Sequence, residues 1–275
     1  MENLKQALVM KANKITSCYV GPQISPEQFV QEHFFLYLSK GIMNGYDGNK
    51  HYTLRAGESC IVRKNRLARY NKQRENDEFG KVIFIFDESF LKGFQKKHLI
   101  DFRNHAQKDA FIKLKKDKLI NSFLLSLEPY YNNSGKITTA FADLKREELL
   151  LIILQLHPEL SDILFDFGIP GRLDLEEFMQ KNYKFNVSIE RFAFLTGRSL
   201  SAFKRDFRQI FNDTPNRWLV KRRLQEGRFL IEKKKQKPAD IYIDLGFEDL
   251  SHFYFAFKKQ FGYPPSAMRQ ENANG

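Results

Sequence analysis

Cysteine, tryptophan and long apolar runs are scarce in this sequence, and each scarcity excludes something. The 275 residues hold two cysteines, Cys18 and Cys60, far apart and with no CxxC pair. That excludes a disulfide framework and a cysteine-built zinc site, and it suits a reducing compartment. The longest apolar run, Leu149 to Leu154, is far short of the roughly 18–20 residues that a membrane-spanning helix needs. Met1 to Thr16 carries only Ala7-Leu8-Val9-Met10 as an apolar stretch among lysines, too little for a secretory signal. A cytoplasmic protein with no membrane partner is expected. Nucleophile elbows of the GxSxG type, P-loops and dinucleotide fingerprints are all missing. His33, His51 and Glu58 are the candidates for a metal site on strands, but they include no HxH pair. No catalytic residue, metal or cofactor is expected, and the chain does not read as an enzyme. One Trp stands against 27 Phe, an imbalance with no functional reading.

Positive charge is what the sequence has in excess, +12 overall. Residues 172–275 hold 20 Lys+Arg against 13 Asp+Glu, and residues 1–171 hold 25 against 20. The shorter part is the more basic, as expected of a binder of phosphate backbones; a merely solubilising surface would look the same.

The first hundred residues read as short strands broken by Gly and polar turns. His33–Ser39 is aromatic-rich, and Ile42–Tyr46 with Lys50–Leu54 forms a hairpin around Asp47-Gly48-Asn49. Ser59–Val62, Arg66–Tyr70 and Lys81–Phe86 follow, suggesting a small β-barrel or jelly roll over about 1–105. Apolar residues from Phe111 to Leu127 recur at helical spacing, and a second amphipathic helix runs from about Phe141 to Leu156. This αα-hairpin (about 108–157) either caps the barrel or, through helices about 111–128 and 141–156, forms a homodimer interface. His98 and His105 fall in a lysine-rich loop or helix face. Lys64, Arg66 and Arg69, near strand ends, are candidates for binding a carboxylate effector. A barrel without ligand, used for dimerisation or a protein partner, competes with that reading. Ile169-Pro170-Gly171 marks a boundary between domains 1–165 and 172–275.

The C-terminal part repeats itself at an offset of 50. Leu200, Ser201, Phe203, Phe207, Phe211 and Pro215 match Leu250, Ser251, Phe253, Phe257, Phe261 and Pro265. Arg208 matches Lys258, and Gly197 pairs with Gly246 at an offset of 49. Each copy is a short helix (inward Ile189, Phe192, Ala193; Ile241, Leu245), a glycine that ends it, a cap (Ser199; Asp249) and a second helix. The second helices are expected to bury Phe203, Phe207 and Ile210, or Phe253, Phe257 and Phe261. That grammar is the helix-turn-helix, over about 188–211 and 238–262. A connector helix from about Asn216 to Lys234 shows Trp218, Leu219, Leu224, Phe229 and Leu230 inward, with Lys221, Arg222, Arg223 and Arg228 spread around it. At about 28 Å it is long enough to help space two recognition helices by one DNA turn of roughly 34 Å.

Ser188 to Phe207 and Asp244 to Pro265 resemble the AraC/XylS family of bacterial transcription regulators. The second segment is similar to that family's signature, with Gly246-Phe247, Ser251-x-Phe253, Phe257-Lys258-Lys259 and Gly262-x-x-Pro265. The resemblance implies an α+β, two-domain protein: a cupin-like barrel with a helical hairpin, then an all-α tandem helix-turn-helix domain. It implies a sequence-specific transcription regulator that contacts double-stranded DNA in two consecutive major-groove segments, with RNA polymerase as a partner. Ser201, Lys204 and Arg205 would face bases in one segment, and Leu250, Ser251, His252 and Phe255 in the next. Arg198, Arg208, Lys258 and Lys259 would meet phosphates. The chain departs from the pattern at Phe255 (usually Arg), Tyr242 (usually Ala) and Gly227 (usually Ala). Loss of the arginine leaves a non-specific architectural DNA binder as the alternative, and it makes the unit around Lys204 and Arg205 the expected reader.

Overall fold

The structure, a computed structural model, describes residues 17–20, 28–100, 109–130 and 139–267. The chain divides into two units, Met1–Gly168 and Ile169–Gly275.

The first unit is sheet-rich. Its strands are β1 (Ser17–Val20), β2 (Phe29–Val30), β3 (His33–Lys40), β4 (Ile42–Tyr46), β5 (His51–Arg55) and β6 (Glu58–Val62). β7 (Arg66–Leu67), β8 (Arg69–Gln73), β9 (Gly80–Phe86) and β10 (Phe111–Lys113) complete the set. Five of them form a sheet in the order β1-β9-β3-β6-β10, three form another (β5-β4-β8), and β2 pairs with β7. β3 and β9 are buried nearly end to end because their sheet is covered on both faces. Side chains alternate across a strand. Phe34, Leu36 and Leu38 of β3 therefore join Met43, Leu54, Ile83 and Phe111 in a core between strands. Phe35 and Tyr37 turn the other way, onto helices.

Those helices are α1 (Glu88–His98), α2 (Lys118–Ser126), α3 (Thr139–Leu156) and α4 (Ser161–Leu164). Three sequence expectations are corrected here. The helical period assigned from Phe111 starts only at Lys118; Phe111–Lys113 is a strand whose Phe111 pairs with Val62 of β6. Residues 88–98, read as part of the barrel, form a helix capped by Asp87, whose side chain accepts from the Phe90 N–H. Arg66–Tyr70 is also not one strand but parts of two, interrupted at Ala68. His98, at the end of α1, bonds Glu147 of α3 at 2.7 Å; His105 lies outside the described residues. Arg146 of α3 is buried and pairs with Asp87, a second tie between the helices. The hairpin expected at Asp47-Gly48-Asn49 is present. Asp47 Oδ1 accepts from the N–H groups of Asn49 (2.9 Å) and Lys50 (2.8 Å), and Gly48 takes a φ of 95°. An Asx turn of this kind needs both features. Burial opposes ionisation of Asp47, but bonds from Lys50, Tyr52 and Asn49 outweigh it and hold the carboxyl below its ordinary range.

His33 is buried, with Nδ1 accepting from the Lys64 N–H at 3.3 Å and Nε2 without a partner. Burial, with the nearby charges of Lys64 and Arg63, pushes its pKa well below 6.5. A proton that the folded state refuses is taken up by the unfolded chain, so stability is full above pH 6.5 and falls as pH drops below it. One such group gives a slope of about 1.4 kcal/mol per pH unit. Denaturant unfolding should reach that slope only well below pH 6.5, so the native chain should lose about 1.4 kcal/mol in all between pH 7.5 and 5.5 and His33→Asn, which keeps an acceptor for Lys64, less. Parallel profiles would refute the assignment.

The second unit is helical: α5 (Leu175–Asn182), α6 (Ile189–Leu195), α7 (Leu200–Phe211), α8 (Pro215–Glu232), α9 (Pro238–Ile241) and α10 (Leu250–Phe261). Asp174, Ser188, Ser199 and Asp249 cap α5, α6, α7 and α10 through their side chains, as a free helix N-terminus requires. The connector α8 has 18 residues, about 27 Å. Two inward assignments fail, and a third residue is inward but only partly covered. Ile210 is 44% exposed and Phe229 48%, and Phe261 is half-buried. Conversely, Arg223 is buried among the connector's apolar residues.

Candidate nucleic-acid interface

The two copies of the repeat have the same construction. α6 ends at Gly197 (φ 65°), and the stretch after α9 ends at Gly246 (φ 85°). Glycine is required at both on two counts. A Cβ at Gly197 would sit 2.7 Å from the carbonyl of Gly171, and one at Gly246 would sit 2.6 Å from the carbonyl oxygen of Lys184. Phe203 and Phe207 of α7 and Phe253 and Phe257 of α10 are fully buried. In the first copy Phe207 packs against Phe203, Phe211 and Trp218 at ring-centroid distances of 5.7, 4.4 and 5.6 Å. In the second, Phe257 packs against Phe253, Phe261 and Tyr263. With one stripe fixed inward, helical geometry turns the other outward. Ser201, Lys204, Arg205 and Arg208 are exposed on α7, and Ser251, His252, Phe255, Lys258 and Lys259 on α10, with Leu250 half-buried. Phe255 is 69% exposed.

Arg198 does not belong with the free cations. Its side chain is 9% exposed; Nη1 donates to the carbonyls of Leu173 (2.9 Å) and Thr196 (2.8 Å), and Nε donates to Asp206 (3.2 Å). Its guanidinium holds the turn in place and is not available to a phosphate. Asp206 also pairs with Arg205 at 3.0 Å and Arg172 at 3.1 Å. Bonds from Arg198 and Arg205 hold its carboxyl below the usual range. Arg223 is a residue the sequence reading missed. Its Nε, Nη1 and Nη2 donate to the carbonyls of Tyr183 (2.7 Å), Gly246 (2.9 Å) and Phe185 (2.8 Å). One more arginine on a basic helix gave no sign of it.

The first unit's effector candidates each have surroundings of their own. Lys64 pairs with Glu88 at 3.3 Å and lies over the Phe167 ring, Arg66 is half-buried on β7, and Arg69 lies over the Tyr46 ring. A cavity of about 20 Å³ is lined by Phe34, Met43, Phe79, Ile83 and Phe111 with Lys72 and Lys81, and by none of the three. It has room for about one water. The suggested metal ligands have separate structural contacts: His33 receives the Lys64 N–H, His51 stacks on Tyr46, and Glu58 pairs with Lys113.

Residues 33–163 match the family model described as the ExsA N-terminal regulatory domain, and residues 192–271 match a helix-turn-helix domain model. Over both units the chain is similar to the AraC family of transcription regulators. Its helix-turn-helix domain is a DNA-binding domain, and members of the family are regulators rather than enzymes. Over 264 residues the chain is 23% identical to the transcriptional regulator ExsA of Pseudomonas aeruginosa, covering 94% of this chain and 93% of ExsA. It is 27% identical over 150 residues to the virulence regulon transcriptional activator VirF of Yersinia enterocolitica. That match spans 50% of this chain and about half, 55%, of VirF. A crystal structure of ToxT from Vibrio cholerae aligns at 14% identity over 91% of this chain and 93% of that one, with a TM-score of 0.36. Within the AraC frame, the unusual Gly227 has a local cause. A Cβ there would lie 3.0 Å from Leu245 Cδ1 and 3.2 Å from the Phe253 ring, so the second unit's packing already fills that space. Among the described residues no helix is long and apolar enough to cross a membrane.

Proposed function

We propose that this chain is a cytoplasmic, sequence-specific DNA-binding transcription activator that places α7 and α10 in two consecutive major-groove segments. One observation carries the reading: two capped helices on one connector, each with a buried Phe pair and an exposed polar or basic face. On α7, Ser201, Lys204 and Arg205 face base edges; on α10, Leu250, Ser251, His252 and Phe255 do. Arg208, Lys258 and Lys259 neutralise phosphates. Footprinting tests this directly. Protection should span two adjacent major grooves on one face of the duplex and weaken steeply with salt; protection confined to one groove would refute it.

Phe255 is exposed and makes no aromatic contact among the described residues, which favours a role outside its own fold. An apolar group at that place reads the thymine methyl. Phe255→Ala should leave stability within about 0.5 kcal/mol and cost about 1 kcal/mol of preference at one A·T pair. Selection from mixed sites would show it; an unchanged preference would remove Phe255 from the readers.

We also propose that the first unit dimerises through α2 and α3. Leu119, Phe141, Leu144 and Leu151 are large apolar residues left exposed there, a patch of the kind that marks interaction surfaces. Leu144→Glu with Leu151→Glu should give a monomer by sedimentation; an unchanged mass would refute the interface. Lys64 and Arg69 are engaged with Glu88 and the Tyr46 ring, which favours control through a protein partner over a small carboxylate effector. A saturable thermal shift with a small carboxylate would overturn that choice. RNA polymerase is the expected further partner, and a pull-down on promoter DNA tests it.

A further inference from the structure

We infer that Arg223 is the positioning residue that fixes the two helix-turn-helix units relative to one another, and so sets the spacing of the DNA segments they read. The inference rests on the DNA-binding reading above, but its geometry stands apart from any DNA contact. Three parts of the fold meet at this side chain. Tyr183 and Phe185 lie at the end of α5 and in the loop that leads into the first helix-turn-helix. Gly246 is the turn of the second. Arg223 itself is on the connector between them. The guanidinium donates to a backbone carbonyl of each flanking part.

The chemistry suits arginine and little else. Carbonyls at a helix C-terminus lack partners within the helix and carry its negative end. Buried, each must be satisfied. A planar fork with five N–H groups can serve three carbonyls lying in different directions; an ammonium on a flexible stem is a single point charge. Burial lowers the Arg223 pKa to about 10, so it remains a cation at neutral pH. Further contacts fix the junction on the same line. Arg222 lies over the Tyr183 ring at 4.5 Å, Lys184 pairs with Glu226 of the connector at 2.8 Å, and Asn186 donates to Glu248 across the two units at 3.1 Å. The approach is close: a Cβ on Gly246 would meet Lys184 O at 2.6 Å and Arg223 Cζ at 2.9 Å. An α8 helix alone leaves the second unit free to swivel about its short α9; this junction does not.

Arg223→Lys and Asn186→Ala in the full chain test the inference in two ways. The first uses DNA carrying both selected segments, at the selected spacing and with single base pairs inserted or removed, beside DNA with one segment scrambled. Arg223→Lys should bind each single segment within about twofold of the native chain and the intact site about tenfold more weakly, with a flattened dependence on spacing, because linkage raises affinity only while geometry lets both sites engage. Equal losses on single and intact sites, with the native spacing profile, would overturn it. The second uses no DNA. Amide exchange across α7 and α10 should proceed through one common opening in the native chain, and α10 should open separately in both variants. Unchanged, common exchange in both would overturn the inference even if the chain binds no specific DNA, which keeps its failure separate from that of the functional reading.

Discussion

Replacing Lys204 and Arg205 together by alanine should weaken binding to the cognate site at least tenfold and relax the sequence preference only under the first helix-turn-helix. Both side chains are exposed on α7, between the buried Phe203 and Phe207, so they project from the helix face that a major groove would meet. Arginine is the commonest reader of guanine O6 and N7, and each well-formed pair is worth about 1–3 kcal/mol of discrimination. In the free chain Arg205 donates to Asp206, and that bond has to be exchanged for the base contact. Asp206 keeps Arg198 and Arg172, so the exchange leaves no carboxylate alone. Competition binding against sites mutated one base pair at a time separates the outcomes. A uniform loss across all sequences would mean that the two residues meet phosphates only, and would favour an architectural DNA binder.

Phe207→Ala should cost about 3–5 kcal/mol of stability. Phe207 is fully buried and touches Phe203, Phe211 and Trp218. Its loss leaves a void that three rings cannot all close. Against a total of about 5–15 kcal/mol for a domain, that is enough to lower the melting temperature by more than about 10 °C. Trp218 is the only tryptophan, so its fluorescence reports this unit and no other. Ile210→Ala, on the same helix but 44% exposed, should cost less than about 1 kcal/mol. Similar costs for the two would contradict the packing described.

Features fixed by local rules were legible in the sequence. The caps at Ser199 and Asp249, the hairpin at Asp47 and the inward pairs at Phe203/Phe207 and Phe253/Phe257 depend on spacing within a few residues. The repeat then exposed the relation between the two helix pairs. What escaped depends on long-range partners. Phe111 and Ile112 fit a helical period as well as a strand, and only pairing with Ile61 and Val62, some 50 residues earlier in the chain, decides for the strand. α1 buries only Leu91 and Phe94 and carries a central glycine, so its period is faint. Arg198 and Arg223 look like neighbouring basic residues in the sequence, yet carbonyls contributed by Leu173, Tyr183, Phe185 and Gly246 draw them inward. Ile210 and Phe229 show the converse: apolar residues at plausible inward spacing, left in solvent at the edge of the stripe. The candidate interface was therefore readable as a face, whereas the split between contacting and positioning cations was not.

Selection from a random duplex pool tests the central claim most directly. The native chain should enrich a motif in two parts whose centres lie about one helical turn apart, 10–10.5 base pairs, each part answering to substitutions in a different recognition helix. A bound pool without enrichment, held by an affinity that varies with salt alone, would contradict it.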